Sequence, residues 1–164
     1  MQLKSRKQLI NLLGTYSCKM DAKGRFMLPK GLKEQLGKKS EQGFVVGRDV
    51  FSKSLVIYTS KTWKELSKEL HTLNRFVEEN VEFLRRFSSG ATGVELDNQG
   101  RLSMPGHLIE YANLEKDLIV TTISDRIELW DKKTYNDMLD SKVDMGALSE
   151  KVMGDIKAKK EDSE

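Results

Sequence analysis

The sequence predicts a mixed α/β, β-rich fold built from two tandem copies of one small unit. The pattern Asp-x-x-Gly-Arg-x-x-x-Pro occurs twice, at Asp21–Pro29 and, 76 residues later, at Asp97–Pro105. These two motifs contain both prolines of the chain. The likeness continues downstream, where SLVIYTSKTWKEL (54–66) parallels RIELWDKKTYNDML (126–139) at an offset of 72 residues. A repeated supersecondary unit of this kind decides the architecture, so we interpret the chain as a duplication.

Each copy is predicted to begin with a β-hairpin. Asp at the first position and Gly at the fourth position of the motif suit a type I turn. Gly24 or Gly100 in the left-handed region would then form the bulge that closes such hairpins. The strands that enter and leave the motif are predicted at 15–20 and 25–28 in copy one, and at 92–96 and 101–104 in copy two.

A short helix and two further strands are predicted to follow each hairpin. Pro29 and Pro105 pre-set φ for a first helical turn. Gly37 and Asn113 are residue types that favour the left-handed conformation in which helices end, so each is predicted to stop its helix. The strands are predicted at 44–47 and 55–58 in copy one, and at 118–121 and 127–130 in copy two.

Additional helices are predicted from apolar residues that recur every three or four positions. Copy one carries two such segments, and Thr62 with Glu65 resembles a capping box at the start of the first one. A shorter helix is predicted near 134–139, and the last residues, KAKKEDSE, are predicted to be a frayed charged tail. The predicted organisation is an N-terminal extension (1–13), a first repeat with a helical segment (14–87), a second repeat (88–145) and a charged C-terminal tail (146–164).

Composition favours a soluble intracellular protein. Hydrophobic residues make up 38% of the 164 residues, and no run approaches the roughly 20 apolar residues that a membrane span requires. Cys18 is the one cysteine, so an internal disulfide framework is excluded and a reducing cytoplasm is expected.

Charge is divided unequally between the copies. Residues 14–58 contain nine basic and four acidic residues, a net charge of +5, whereas residues 90–130 contain three and seven, a net charge of −4. If the protein binds a polyanion, copy one is expected to contact it. Copy two would then supply structure, or a complementary surface for copy one of a neighbouring subunit. Such head-to-tail contacts form a ring when they close.

The arginine of the repeated turn is the candidate for function. A two-stranded ribbon fits the DNA major groove, and arginine can bind guanine O6 and N7 bidentately. Lys19 and Lys23 would hold phosphates beside Arg25. Asp21 could accept hydrogen bonds from backbone amides and stiffen the turn, or it could form an ion pair with the arginine and orient it. The competing interpretation is an ordinary hairpin with a solvated arginine.

An enzyme and a metal site have little support in the sequence. His71, His107 and Cys18 show no pairing, and no nucleotide-binding loop of the required spacing is present. We therefore predict no catalytic residue, no metal and no cofactor.

With the doubled motif, the paired Lys-Thr-aromatic segments and FLRRFSSGAT (83–92) in place, the chain resembles the MraZ family of bacterial regulators. This resemblance covers about residues 12–150. It implies tandem AbrB-like (SpoVT-AbrB) repeats that form a swapped-hairpin β-barrel with flanking helices. It also implies a multi-subunit homo-oligomeric ring that binds short G-rich direct repeats in double-stranded DNA. These repeats would lie upstream of the division and cell-wall gene cluster, which includes the regulator's own gene, and the protein would be cytoplasmic and nucleoid-associated.

The resemblance also implies which residues read DNA. The reading loop of the family corresponds to residues 21–25, in which Asp21, Lys23, Gly24 and Arg25 match. In copy two Arg101 matches, but Gln99 occupies the lysine slot, so Arg101 is expected to contribute less. The N-terminus runs about ten residues longer than expected and adds Lys4, Arg6 and Lys7. Three interpretations of this extension are open: a phosphate-binding arm, a species feature or an early start codon.

Two other functions remain open at this stage. An AbrB-type antitoxin would share the DNA-binding fold, although antitoxins usually combine one copy with a disordered tail. An assembly scaffold would form the ring without binding DNA specifically. Salt-dependent DNA binding would separate a regulator from a scaffold.

Overall fold

The computed structural model describes residues 11–163, which form eight strands and six α-helices. The strands are β1 (Thr15–Lys19), β2 (Arg25–Met27), β3 (Phe44–Arg48), β4 (Leu55–Thr59), β5 (Thr92–Val94), β6 (Arg101–Ser103), β7 (Asp117–Ile123) and β8 (Arg126–Asp131). The helices are α1 (Lys30–Leu36), α2 (Ser60–Leu70), α3 (Glu78–Ser88), α4 (Gly106–Tyr111), α5 (Lys132–Asp140) and α6 (Met145–Glu161), and a 3-10 turn (Gly37–Gln42) follows α1.

The two copies are interleaved through their strands. The larger sheet has six antiparallel strands in the order β1-β7-β8-β4-β3-β5. In this sheet β1 of copy one pairs with β7 of copy two, and β5 of copy two pairs with β3 of copy one. Each hairpin therefore supplies a strand to the other copy. The predicted mixed α/β, β-rich fold with exchanged hairpins and flanking helices is confirmed.

The second strands of the two hairpins form a separate antiparallel ribbon, β2–β6. Phe26 lies directly opposite Leu102 in this ribbon, and the two side chains are only 1% and 0% exposed. Both belong to a single apolar core to which both copies contribute. A unit of this size cannot bury enough apolar surface alone, so the exchange gives the two copies one shared core.

The predicted helix ends are confirmed. Gly37 caps α1 at a φ of +57°, and Asn113 follows α4 at a φ of +50°. These left-handed conformations are accessible to Gly and Asn at low cost. The two short helices therefore stop where the sequence predicts.

The start of α2 differs from the prediction. The capping box at Thr62 is wrong, because the helix begins at Ser60 and its cap is Thr59, whose hydroxyl oxygen accepts a hydrogen bond from the Thr62 N–H at 3.2 Å. Thr62 is thus already inside the first turn. Helix α2 contacts α3 through the stacked rings of Trp63 and Phe87, whose centroids are 6.1 Å apart.

The C-terminal region is helical rather than frayed. Helix α6 spans 17 residues, and the Asp144 carboxylate caps it by accepting from the Ala147 N–H at 3.0 Å. The residues before KAKKEDSE form an exposed apolar stripe at helical spacing, made of Met145, Leu148, Val152 and Ile156. The charges of KAKKEDSE alone do not indicate this helix. Within the described residues no helix is long and apolar enough to cross a membrane. The basic residues of the N-terminal extension, Lys4, Arg6 and Lys7, lie outside those residues.

Candidate nucleic-acid interface

The first turn is held by a single carboxylate. Asp21 Oδ1 accepts hydrogen bonds from the backbone N–H of Lys23 at 3.0 Å and of Arg25 at 2.9 Å. Its other oxygen, Oδ2, accepts from Arg25 Nε at 2.8 Å. The two roles considered for this aspartate thus occur together. The carboxylate fixes the backbone of the turn and also fixes the direction of the arginine that leaves it.

The second turn has the same geometry. Asp97 Oδ1 accepts from the N–H groups of Gln99 and Arg101, both at 2.9 Å, and Oδ2 accepts from Arg101 Nε at 2.8 Å. The lysine-to-glutamine difference leaves this network intact, because residue 99 uses only its backbone N–H. Gln99 therefore changes the charge of the turn and not its shape.

The two turns are tied to each other across the copies. Gly24 and Gly100 each have a φ of +78°, the left-handed conformation that the predicted bulge requires. Their carbonyls accept from the opposite copy, Gly24 from the Met104 N–H at 2.9 Å and Gly100 from the Leu28 N–H at 3.1 Å. The turns consequently lie at the two ends of the β2–β6 ribbon in a fixed relation.

The ribbon places both arginines on its outward face. Phe26 and Leu102 point into the core, so alternation directs their neighbours outward. Arg25 lies opposite Ser103, and Met27 lies opposite Arg101. The arginines are thus diagonal neighbours, separated by one strand spacing and two residues of rise, which is roughly 8 Å between their Cα atoms.

Each arginine keeps its outer nitrogens available. The side chains of Arg25 and Arg101 are 28% and 25% exposed, and each uses Nε for its aspartate. Among the described residues, no hydrogen-bond partner occupies their Nη atoms. A guanidinium held through Nε presents its two terminal donors in a fixed direction, which suits bidentate binding to a planar acceptor pair.

The turn network lowers the pKa of both aspartates below the ordinary 3.8. The main cause is the backbone N–H of the arginine, and the guanidinium and the second N–H add to it. Because the folded pKa is lowered, the stabilisation from these carboxylates is complete above the unfolded pKa and is lost as the pH falls through the folded pKa. The turns therefore keep their charge pattern throughout the neutral range.

We expect the Arg25→Ala substitution to raise the pKa of Asp21 but not to restore it fully to 3.8, because the backbone N–H donors remain. Carboxyl-carbon NMR titration of wild type and variant measures this change, with Asp97 as the internal control. An unchanged pKa of Asp21 would show that the guanidinium does not interact with the carboxylate in solution.

The remaining predicted residues have different positions. Lys23 is exposed in turn one, beside Arg25. Lys19 ends β1, directly opposite Asp117 of β7, so its charge has an acidic neighbour across the sheet. Two further lysines, Lys30 and Lys33 of α1, lie outside the motif and are not predicted by it. They lie in the same groove as Gly100 of turn two.

Because the hairpins are exchanged, residues of one copy lie beside the turn of the other copy. Gly24 of turn one packs against Ile109 of copy two, whereas Gly100 of turn two lies beside Lys33 of copy one. Basic residues of copy one therefore lie beside both turns, Lys23 in turn one and Lys33 next to turn two. Lys33 thus places a positive charge beside turn two, in which Gln99 occupies the lysine slot.

Comparison with known proteins agrees with this architecture. The family described as "MraZ protein, putative antitoxin-like" matches the chain twice, over residues 12–86 and 87–152. The chain belongs to the MraZ family. Its duplicated motif is thus the duplicated family unit, one copy in each matched segment.

Relatives with this family name cover nearly the whole chain. The "Transcriptional regulator MraZ" of Christiangramia forsetii is 44% identical over 147 residues, which is 89% of this chain and 95% of that protein. The protein of the same name from Flavobacterium psychrophilum is 41% identical over 146 residues, or 88% of this chain and 93% of that protein. Regulation of transcription is not an enzymatic function, so the prediction that the chain is not an enzyme is confirmed.

Proposed function

We propose that this MraZ-family protein is a sequence-specific DNA-binding transcriptional repressor that acts on its own division and cell-wall gene cluster. It binds short G-rich direct repeats through its two Asp-x-x-Gly-Arg turns. The relatives' common name, transcriptional regulator, supports the regulatory part of this proposal. DNA binding through the turns is supported by the side-chain geometry.

The paired arginines on the outward face of the β2–β6 ribbon carry the proposal. A two-stranded ribbon has the width of the major groove, and guanine presents O6 and N7 there as a planar acceptor pair. Arg25 and Arg101 are both held through Nε by a carboxylate. Each such arginine–guanine pair discriminates against a wrong base by roughly 1–3 kcal/mol. Two arginines on one ribbon therefore favour guanine-containing sites.

Lys23 and Lys19 are proposed as phosphate contacts, with Asp21 and Gly24 as residues that shape the turn. Lys23 is exposed next to Arg25, where a backbone phosphate flanking the read base would lie. Lys19 at the end of β1 is nearer to Asp117, so we expect it to contribute less. These contacts set the register of the ribbon without reading sequence.

We further propose that the protein acts as a closed homo-oligomeric ring associated with the nucleoid in the cytoplasm. Large apolar side chains remain on the surface of the single chain, among them Phe51 at 93% exposure and Phe76 at 100%. Phe51 lines one groove together with Val50 and Phe83, and contiguous exposed apolar surface marks contact sites between proteins. In a ring, several ribbons bind successive repeats, so that modest single contacts add through effective concentration.

Fluorescence anisotropy with the DNA upstream of the protein's own gene tests this function. A scrambled duplex of the same composition serves as the control, and both are measured across a salt series. We expect a clear preference for the native duplex and a linear fall of log K with log salt. Equal weak binding to both duplexes would contradict the proposal and would favour a basic assembly scaffold.

Native mass spectrometry of the same preparation tests the ring. We expect one closed stoichiometry that persists on dilution. A monomer, or an open series of sizes, would contradict ring closure while leaving the DNA-binding test unaffected.

A further inference from the structure

A basic groove lies beside turn two and is built mostly from copy one. Its polar lining includes Lys19 from β1, Lys30 and Lys33 from α1, and Gln99 from the turn. Among the described residues that line it there is no carboxylate. The Nζ atom of Lys33 lies 3.8 Å from the position that a Cβ on Gly100 would occupy, so the ammonium group contacts the turn that carries Arg101.

The corresponding position at the other end of the ribbon is not basic. The 76-residue offset maps Lys33 onto Ile109, Lys30 onto Gly106 and Lys19 onto Glu95. The mapping holds in space, because Ile109 contacts Gly24 as Lys33 contacts Gly100, with Cδ1 2.9 Å from the Cβ position. Three lysines at one end of the ribbon are thus replaced by an isoleucine, a glycine and a glutamate at the other end.

Turn two lacks the lysine of turn one but has a lysine of the other copy beside it. Turn one carries its own lysine, Lys23, whereas turn two has Gln99 in that slot. The hairpin exchange places Lys33 beside the turn that has no lysine of its own.

We propose that this groove holds the phosphate backbone of the duplex that Arg101 reads, with Lys33 and Lys30 as the phosphate-binding residues. This inference rests on the proposed function. The two ends of the ribbon consequently hold DNA by different means, turn one through its own Lys23 and turn two through helix α1 of the other copy. Phosphate contacts of this kind carry affinity and salt dependence but no sequence information.

Lys33→Gln tests the proposal, with Lys64→Gln on α2 as the control that removes the same charge outside the groove. Loss of one phosphate contact reduces the steepness of the plot of log K against log salt concentration, the salt slope, by about one. It also weakens binding roughly eightfold at 0.1 M salt. We expect this loss on native and scrambled duplexes alike, so that the preference between them is retained. Lys64→Gln is expected to leave both the slope and the affinity close to those of wild type.

Gln99→Lys supplies an independent test by gain of affinity. Turn one shows that lysine in this slot is compatible with the turn geometry, because Lys23 donates the same backbone hydrogen bond to Asp21 at 3.0 Å. The new lysine would enter the groove that already contains Lys33, so we expect several-fold tighter binding and a steeper salt slope.

The outcomes separate this inference from the function on which it rests. If wild type prefers the native duplex but Lys33→Gln matches Lys64→Gln and Gln99→Lys gains nothing, the groove does not hold DNA and the inference is overturned. If wild type shows no preference for the native duplex, the proposed function itself fails.

Discussion

Arg25→Ala is expected to abolish the preference of the protein for the DNA upstream of its own gene. Loss of one bidentate guanine contact removes roughly 1–3 kcal/mol of discrimination per site, about 5- to 150-fold, and a ring that binds several repeats multiplies this loss. Competition anisotropy between native and scrambled duplexes measures the effect. Arg75→Ala, which removes an exposed arginine distant in sequence from both turns, is the control and should retain the preference.

The fold is expected to survive this substitution, since the Arg25 side chain lies on the outward face of the ribbon and the core residue beside it is Phe26. Arg101→Ala is expected to cause a comparable loss of preference, because turn two has the same aspartate network and lies beside the basic groove. Loss of assembly or of secondary structure in either variant would indicate a structural arginine instead.

Phe26→Ala is expected to lower the free energy of unfolding by about 3–5 kcal/mol. The ring of Phe26 is 1% exposed and lies opposite Leu102, at the point where the two copies share their core. Truncation removes apolar contacts of both copies and leaves a cavity that the ribbon cannot close without moving both turns. Denaturant unfolding measures the loss, and Met27→Ala, at the outward-facing neighbour of Phe26 with 52% exposure, is the control that should change stability much less.

A loss below about 1 kcal/mol for Phe26→Ala would contradict a core shared through the ribbon, because a fully buried phenylalanine in a packed interior costs several times more. Such a result would mean that each copy is stable without the β2–β6 pairing.

The local geometry of the candidate site could be predicted from the sequence because it depends on neighbours in the chain. Asp at the first position and Gly at the fourth position define the turn, and Gly24 and Gly100 have the left-handed φ expected of the bulge. The aspartate reaches backbone amides two and four residues ahead, so its role needs no information about the rest of the fold.

The partners of each turn could not be predicted, because they depend on which copy each hairpin pairs with. The offset of 76 residues equates Lys33 with Ile109 but does not show that Lys33 contacts the turn of the other copy. Charge counted along the sequence predicts a basic copy one, whereas the exchange of hairpins places basic residues of copy one beside both turns. One signal is present in the sequence, since Gln99 replaces the lysine of turn two while copy one has further lysines, Lys30 and Lys33.

The C-terminal helix differs from the predicted tail for another reason. The terminal run of lysines and acids indicates a solvated tail, although the residues before it include apolar side chains at helical spacing. Asp144 provides a cap and Met145, Leu148 and Val152 recur at helical spacing, so the pattern was present in the sequence.

Base reading by Arg25 is tested by the ratio of affinities for native and scrambled duplexes in the Arg25→Lys variant. Lysine keeps the positive charge but cannot bind guanine O6 and N7 through a rigid, planar pair of donors. If the turn reads bases, the variant will keep wild-type affinity for the scrambled duplex and a wild-type salt slope, while its preference for the native duplex falls toward one. A preference equal to that of wild type would contradict base reading by Arg25 and would leave the turn as a phosphate contact.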